Sequence, residues 1–348
     1  MDVKEIIQKL YDTNDASREE LLYLLDNIDE NSKKFLIDKA YETRYRYFKN
    51  TVFVRGLIEI SSYCKKDCRY CGLRRSNKNA ERYRLDIDDI LECVRRGDEL
   101  GYKTTVLQGG EDAFYTDEKM VEIIKAIKKE FPDNALTLSI GERSYESYKK
   151  LYEAGADRFL LRHESATKSL YEFIHNTESF EERRRCLRDL KEIGFQAGAG
   201  FMVGLPNQTN EDLVNDLRFV KELEPAMCGI GPFIPHKDTP LRDCTAGTTE
   251  KTVILLAITR LLLPKVLLPA TTALASIDSN GRTEGLRAGA NVIMPNLSPM
   301  AVRKKYSLYN NKAFILDEDA EYRNEIEKKL RESGFELVVA RGDNPDFE

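Results

Sequence analysis

Cys64, Cys68 and Cys71 are separated by three residues and then by two. Three thiolates this close can wrap one cubane iron–sulfur cluster, and a cubane has four irons. One iron is then left without a protein ligand and can hold a small molecule and hand it an electron. Tyr70, just before the last cysteine, fits a ring placed beside such a cluster. A structural zinc site asks for four nitrogen or sulfur ligands. The next cysteine and the first histidine along the chain are Cys93 and His163. A disulfide would leave one thiol over and asks for an oxidising compartment. The spacing therefore points to a cluster with one open metal position.

Such a loop needs a scaffold, and 348 residues suit a closed α/β barrel with additions. Hydrophobic residues make up 41% and charged residues 32%, enough for a large core beneath a polar surface. The net charge is −5 and no arginine-rich arm is present, which argues against nucleic acid as a partner. The first ten residues read as an amphipathic helix and not as a signal peptide. Residues 252–268 are the most apolar stretch. Arg260, Pro264 and Lys265 interrupt it, so it reads as a buried helix followed by a strand and not as a membrane span. Seven cysteines, an odd number, with no secretory signal point to the reducing cytoplasm. Cys93, Cys186, Cys228 and Cys244 are scattered and read as small buried apolar residues.

The first fifty residues are helical in pattern, and Asn31 with Ser32 reads as a capped helix start. From residue 52 onward, β-branched runs alternate with amphipathic segments. Strands are expected over 52–61, 104–108, 135–140, 158–163, 196–203, 227–234, 268–275 and 292–295. Helices are expected over 86–100, 117–130, 144–154, 180–193, 210–222, 249–263 and 282–288. Alternation repeated eight times predicts parallel strands closed into a complete (β/α)8 barrel. An open doubly wound sheet is the alternative, but no Gly-x-Gly-x-x-Gly follows the first strand. A terminal helix is expected over 317–334 and an edge strand over 335–340. The organisation expected is an N-terminal helical extension (1–50), a barrel core (51–310) and a C-terminal helix and short strand packed on it (311–348).

Active sites of such barrels lie at the C-terminal strand ends. Chemically able residues gather there: the cysteine loop, Gln108-Gly-Gly-Glu-Asp112, Ser139-Ile-Gly-Glu142, Leu161-Arg-His-Glu164 and Pro269-Ala-Thr-Thr272. Gly110 lets the backbone approach a ligand, and Glu111 could accept from an ammonium. Arg162 and Glu164 share one face of a strand. In the lumen both charges need partners, and the two charged ends of an amino acid would supply them; His163 would then face the helices. Thr271 and Thr272 could bind an anion. Gly198 and Gly200 weaken a strand and make sense where a ligand passes. His236 is open to two readings, a ligand or base, or a turn element. Arg69, Arg74, Arg75, Arg82 and Arg84 crowd the cluster segment and could offset thiolate charge.

The cysteine motif after a first barrel strand resembles the radical S-adenosylmethionine (SAM) superfamily. Tyr70-Cys-Gly-Leu-Arg-Arg75, Leu160-Leu-Arg-His-Glu164, Met202-Val-Gly-Leu-Pro206, Gly229-Ile-Gly-Pro-Phe-Ile-Pro-His236, Pro269-Ala-Thr-Thr-Ala273 and Gly289-Ala-Asn-Val-Ile-Met-Pro-Asn296 are similar, within it, to the [FeFe]-hydrogenase maturase family HydE. The resemblance implies one [4Fe–4S] cluster on Cys64, Cys68 and Cys71, with SAM on the open iron. It implies reductive cleavage of SAM to a 5′-deoxyadenosyl radical. It implies SAM contacts from Tyr70, Gly110, Glu111, Glu164 and Arg183, and a substrate or anion cavity lined by Arg162, Thr271 and Thr272. The implied substrate is a cysteine-bound iron carbonyl cyanide unit, a precursor of the hydrogenase diiron subsite. Other hydrogenase maturases and a reducing electron donor are the implied partners, with no nucleic acid and no membrane. Some family members carry a second cluster near the C-terminus; residues 314–325 here contain no cysteine, so one cluster is expected. Two alternatives keep weight: a radical SAM enzyme acting on a free amino acid or other small molecule, like methylornithine synthase or biotin synthase, and a non-catalytic iron–sulfur scaffold.

Overall fold

The computed structural model describes residues 2–312 and 323–347. Nine strands are present among them. They are β1 (Thr51–Val54), β2 (Gly56–Ser61), β3 (Thr104–Gly109), β4 (Ala135–Ser139), β5 (Arg158–Leu160), β6 (Gln196–Val203), β7 (Met227–Pro232), β8 (Val292–Ile293) and β9 (Glu336–Val338). Strands β2 to β7 form a parallel sheet in chain order. The ring then closes through short contacts. Leu267 bridges Met227, Pro269 bridges Val292, β8 pairs with β1, and Asn296 bridges Leu57, all in parallel register. The expected complete barrel is therefore present, with its seventh and eighth staves reduced to a few residues each.

Two expected strands come out differently. The first is interrupted at Arg55, so β1 pairs with β8 while β2 pairs with β3. The seventh, expected over 268–275, ends early. Pro269 has no N–H to give a ladder, and a helix begins at Thr272 (Thr272–Ile277). The side chain of Asn291 repairs the gap, its Oδ1 accepting from the Leu268 N–H at 2.8 Å.

The helices of the outer layer start and stop where local chemistry dictates. Asp86 caps Ile87–Glu99 in a reciprocal box with Asp89, and Thr209 with Asp212 does the same for Asn210–Leu223. Gly194, at φ 109°, ends Phe180–Ile193 in the left-handed conformation that favours glycine. The apolar stretch that was not a membrane span is the helix Thr249–Leu262, whose residues 252–262 are all buried. No helix among the described residues is long and apolar enough to cross a membrane.

Three helices, Val3–Thr13, Arg18–Asn27 and Glu30–Phe48, precede the barrel, and the last packs on Thr249–Leu262. The third is capped by Asp29 and not by Asn31; Ser32 is its reciprocal partner. Arg44 is fully buried and donates to the carbonyls of Ala290, Lys49 and Thr51, which ties this helix to the barrel floor. Of the expected terminal helix, residues 317–322 lie outside the described residues, and Arg323–Glu332 is helical. The expected edge strand is β9, parallel to β1.

After β9 the chain crosses the N-terminal mouth of the barrel. The Thr104 hydroxyl donates to the Arg341 carbonyl, Arg158 pairs with Asp343 at 2.5 Å, Gln196 donates to the same carboxylate at 2.7 Å, and Asn344 donates to the carbonyls of Ala226 and Lys265. These partners lie at or beside the starts of successive strands, so the tail stoppers the end opposite the candidate site. Burial pushes the Asp343 carboxyl up, but the Arg158 charge and the hydrogen bonds from Arg341 and Gln196 outweigh it and hold it at about 2. Because the folded value lies below the unfolded one, this contribution is complete above about pH 4 and is lost as pH falls toward about 2. Asp343→Ala leaves the Arg158 guanidinium buried without its carboxylate and is expected to cost on the order of 3 kcal/mol. Urea unfolding at neutral pH checks this, and at pH 2 to 3 the difference from the parent should shrink.

Candidate active site

The segment joining β2 to the first outer helix carries the three cysteines and has almost no regular structure. Its backbone groups must therefore find side chains. Asp67, between the first two cysteines, accepts from Nε and Nη2 of Arg74 at 2.9 and 2.7 Å and from the N–H and hydroxyl of Ser76. These bonds and the Arg74 charge hold its carboxyl well below the usual range. Arg82 donates to the carbonyls of Ser62, Leu73, Arg74 and Asn77. Arg74 and Arg82 thus brace the loop. Arg84 pairs with Asp112, Arg69 lies over the Phe173 ring, and Arg75 faces solvent.

His236 belongs to the same bracing. Its Nδ1 accepts from the Asp238 N–H at 3.1 Å, which puts the proton on Nε2, 3.2 Å from the Ser307 hydroxyl. A Cβ at Gly72 would fall 2.6 Å from this ring. His236 is a turn element packed against the cysteine loop, outside the cavity lining.

All three cysteines line one cavity of about 320 Å³ at the C-terminal mouth, together with Tyr70, Gly110, Glu111, Arg162, Glu164, Arg183 and Thr271. The thiols are free. Burial pushes each of them up, Cys71 to about 12, and neighbouring sulfurs add to it at Cys68 and Cys71. Three buried sulfurs that resist ionisation and line one cavity suit a metal centre, because a bound cation offsets thiolate charge. A Cβ at Gly110 would sit 2.2 Å from the Tyr63 carbonyl oxygen and 2.8 Å from the Cys64 Cβ, so only glycine lets the β3 turn press against the first cysteine. The other four cysteines stand apart, three of them fully buried.

The fourth stave supplies the opposed charges. Its ladder stops at Leu160 and resumes with a single bridge at Glu164, whose φ is 63°. A left-handed glutamate costs about 1 kcal/mol or more, and here it turns the carboxylate into the cavity beside Arg162. The two approach to 3.1 Å without hydrogen-bond alignment. Arg162 Nε and Nη2, Glu164 Oε2 and Thr271 Oγ1 are buried and have no hydrogen-bond partner. His163 points the other way, as expected, with Nε2 3.2 Å from Asp216 on the outer helix and Nδ1 accepting from the Gly200 N–H. Thr272 begins a helix beside the cavity and is not part of its lining. Gly198 and Gly200 do not make room for a ligand. A Cβ at Gly200 would strike the Gly229 carbonyl at 2.0 Å, and one at Gly198 would meet Leu160. The glycines let staves, and not a ligand, approach.

Arg183 reaches the cavity from the outer helix Phe180–Ile193 and is held by Glu142 at 2.6 Å and by the Arg162 carbonyl. Lys66 binds the other oxygen of Glu142 at 2.6 Å. Glu111 accepts from the Glu142 N–H through one oxygen, while Oε2 is buried without a hydrogen bond, 3.6 Å from Lys66. Burial pushes this carboxyl up.

Two residues were not legible in the pattern. His175 and Glu178 bring their ligand atoms within 4.8 Å of each other and of Cys68 Sγ. The Nδ1–H of His175 donates to Glu178 at 3.2 Å, and Nε2 lies 3.4 Å from the Tyr70 hydroxyl. The Tyr171 ring stacks on His175 at 4.5 Å. Burial pushes Glu178 up, but the bonds from His175 and Thr177 prevail and bring it to about 2. The available signal was a His-x-x-Glu pair in a chain with three histidines.

Known proteins agree with this geometry. Residues 58–220 match the radical SAM superfamily. The chain is 47% identical to the [FeFe] hydrogenase maturase subunit HydE of Thermotoga maritima, over 91% of this chain and 90% of that protein. It is 31% identical to 3-methylornithine synthase of Methanosarcina acetivorans, over 84% and 83% of the two chains. The crystal structure of methylornithine synthase (PylB) superposes with a TM-score of 0.85 at 25% identity and covers 98% of both chains. Superfamily membership implies an iron–sulfur cluster and SAM, and the thiol trio and the unsatisfied polar atoms around it fit both. With a complete barrel, a three-cysteine loop at its mouth and near-full-length similarity to a maturase subunit, the chain belongs to the radical SAM superfamily and, within it, to the HydE family.

Proposed function

We propose that this enzyme holds one [4Fe–4S] cluster on Cys64, Cys68 and Cys71, cleaves SAM reductively there, and acts on a cysteine-bound iron carbonyl cyanide unit in assembly of the [FeFe]-hydrogenase diiron subsite. The observation that carries the reading is the shared cavity. Three free thiols line it together with the orphaned polar atoms of Arg162, Glu164 and Thr271. Cluster and SAM together supply a 5′-deoxyadenosyl radical; the hard chemistry is theirs.

The protein binds, orients and excludes water. Glu164 and Arg183, with Tyr70, Gly110 and Glu111, share the cavity with the cysteines and are assigned to SAM. Arg162 and Thr271, with Thr272 beside them, are assigned to the anionic end of the substrate. Arg162 keeps two donors without a hydrogen bond, Nε and the Nη2 that faces Glu164, and bidentate capture of a carboxylate is what a guanidinium does best. The tail across the opposite mouth keeps solvent from the lumen, which protects a primary radical. The division into residues 1–50, 51–310 and 311–348, a cytoplasmic setting, the other hydrogenase maturases and a low-potential electron donor belong to the same proposal.

The Arg162–Glu164 pair also favours a second reading. Opposed charges in one cavity fit both ends of a free amino acid, and a methylornithine synthase is among the relatives. Anaerobic maturation of an inactive [FeFe]-hydrogenase with the other maturases, with and without this protein, decides between them. Activity only in its presence supports maturation. No dependence on it, with turnover of a free amino acid, supports the second reading. Absence of methionine and 5′-deoxyadenosine under any reducing condition would leave only a scaffold.

Cys68→Ala is expected to abolish both the visible cluster absorbance and SAM cleavage. Full turnover by that variant would refute the ligand assignment. Asp67→Asn removes the charge that gathers Arg74 and Ser76. It is expected to cost about 2 kcal/mol and to lower the iron retained after anaerobic gel filtration. Arg162→Ala is expected to weaken substrate binding at least about tenfold, roughly 1.4 kcal/mol, while SAM affinity measured by calorimetry holds. Loss of SAM affinity alone would contradict the division of the cavity.

A further inference from the structure

Cys68, His175 and Glu178 form a second constellation that the proposed reaction does not use as a set. Their ligand atoms all lie within 4.8 Å of one another. The Cys68 sulfur is 4.0 Å from Glu178 Oε2, and that oxygen is 3.2 Å from His175 Nδ1. A tetrahedral zinc has bonds of about 2.0 Å to nitrogen and oxygen and about 2.3 Å to sulfur, which spreads its ligand atoms about 3.3 to 3.6 Å apart. The two separations bracket that spacing. A thiolate and a carboxylate together balance a divalent cation, and the nearby Lys66 and Arg183 are both bonded to Glu142.

The fold assembles these three groups before any occupant arrives. The Arg69 N–H donates to the Ile174 carbonyl at 2.9 Å, a backbone bond that staples the residue after Cys68 to the residue before His175. The Glu178 N–H turns back to the His175 carbonyl at 3.3 Å, so one turn presents both side chains. Thr177 holds Glu178 Oε1 through its hydroxyl at 2.5 Å, which leaves Oε2 toward Cys68. The His175 and Glu178 side chains are buried, and the imidazole is stacked on Tyr171. With a cation on Nδ1 the ring proton sits on Nε2, 3.4 Å from the Tyr70 hydroxyl, and an acceptor in that place is what orients a ligating histidine. Cys68 and His175 both line the cavity, which gives a cation its way in.

We infer that, in the chain that carries no cluster, Cys68, His175 and Glu178 bind one divalent transition-metal cation, zinc or iron(II), and that this occupant excludes the cluster until it leaves. The site rests on the geometry of the three residues; the exclusion rests also on Cys68 as the cluster ligand assigned above, since one sulfur cannot serve both. As the sulfur–metal bond forms, the Cys68 thiol gives its proton to solvent. The imidazole moves its proton from Nδ1 to Nε2, the carboxylate binds as it stands, and no electron is transferred.

The test uses the full-length chain stripped of cluster, kept anaerobic, with Co2+ as an optical probe. The parent should take up one Co2+ with the charge-transfer absorbance of a single thiolate–cobalt bond. His175→Phe, which keeps a ring against Tyr171, and Glu178→Gln should each weaken uptake at least about tenfold, since losing even a group that orients a ligand costs that much. Cys68→Ala should remove the charge-transfer band, while Cys64→Ala and Cys71→Ala should titrate like the parent. Separate titrations with Zn2+ and Fe2+ should displace the cobalt and show which cation the trio prefers. Zinc-loaded parent should gain no cluster absorbance from iron and sulfide until a chelator removes the zinc; Glu178→Gln treated alike should gain it at once. No stoichiometric cobalt uptake, no displacement by either metal, or uptake that needs all three cysteines and ignores His175→Phe and Glu178→Gln would overturn the site. Cluster formation in the zinc-loaded parent would overturn the exclusion. A parent that binds cobalt through the trio yet takes up no cluster even when stripped of metal would uphold the site and overturn the cluster reading instead.

Discussion

Three cysteine sulfurs that line one cavity set the terms for everything around them. Burial raises the cost of ionising all three, and neighbouring sulfurs add to it at Cys68 and Cys71. Left as thiols they are inert; as thiolates they need a compact positive centre. The loop must therefore be held rigidly before any metal arrives, because it cannot rely on helix or sheet. Asp67 and Arg82 do this by converting loose backbone groups and turn residues into satisfied hydrogen bonds. His236 wedges the loop from below, against a glycine that has no Cβ to refuse it.

The barrel extends that constraint in three dimensions. Its closure depends on staves of two or three residues, where Asn291 and single bridges stand in for full ladders. Economy there leaves room for the lumen, and the C-terminal tail closes the far mouth through Asp343 and Asn344. The cavity lined by the cysteines lies at the mouth opposite the one the tail crosses.

Strain is concentrated where the chemistry is expected. Glu164 occupies a left-handed conformation in mid-stave, and its neighbour His163 is anchored outward to Asp216. The buried His163–Asp216 contact holds the chain on the helix side while Arg162 and Glu164 look inward. Tyr70 is placed in a similar way, through His175 to Glu178. Groups near the cavity are oriented by partners whose own positions are settled by packing.

The sequence alone determined the three-cysteine motif, the eightfold alternation, and that Arg162 and Glu164 share a face that His163 does not. Each of these depends on spacing within a few residues, and short-range geometry is nearly independent of the fold. Tertiary structure decided what depended on distant neighbours. Gly198 and Gly200 looked like room for a ligand but serve the contact of one stave with another. Pro269 cut the seventh strand short because it has no N–H. The meeting of His175 and Glu178 with Cys68 joins a loop after the fourth stave to the loop after the first, more than a hundred residues apart. A periodicity read along the chain carries no information on which loop tips converge; that is set by the closure of the barrel, which brings all of them to one rim.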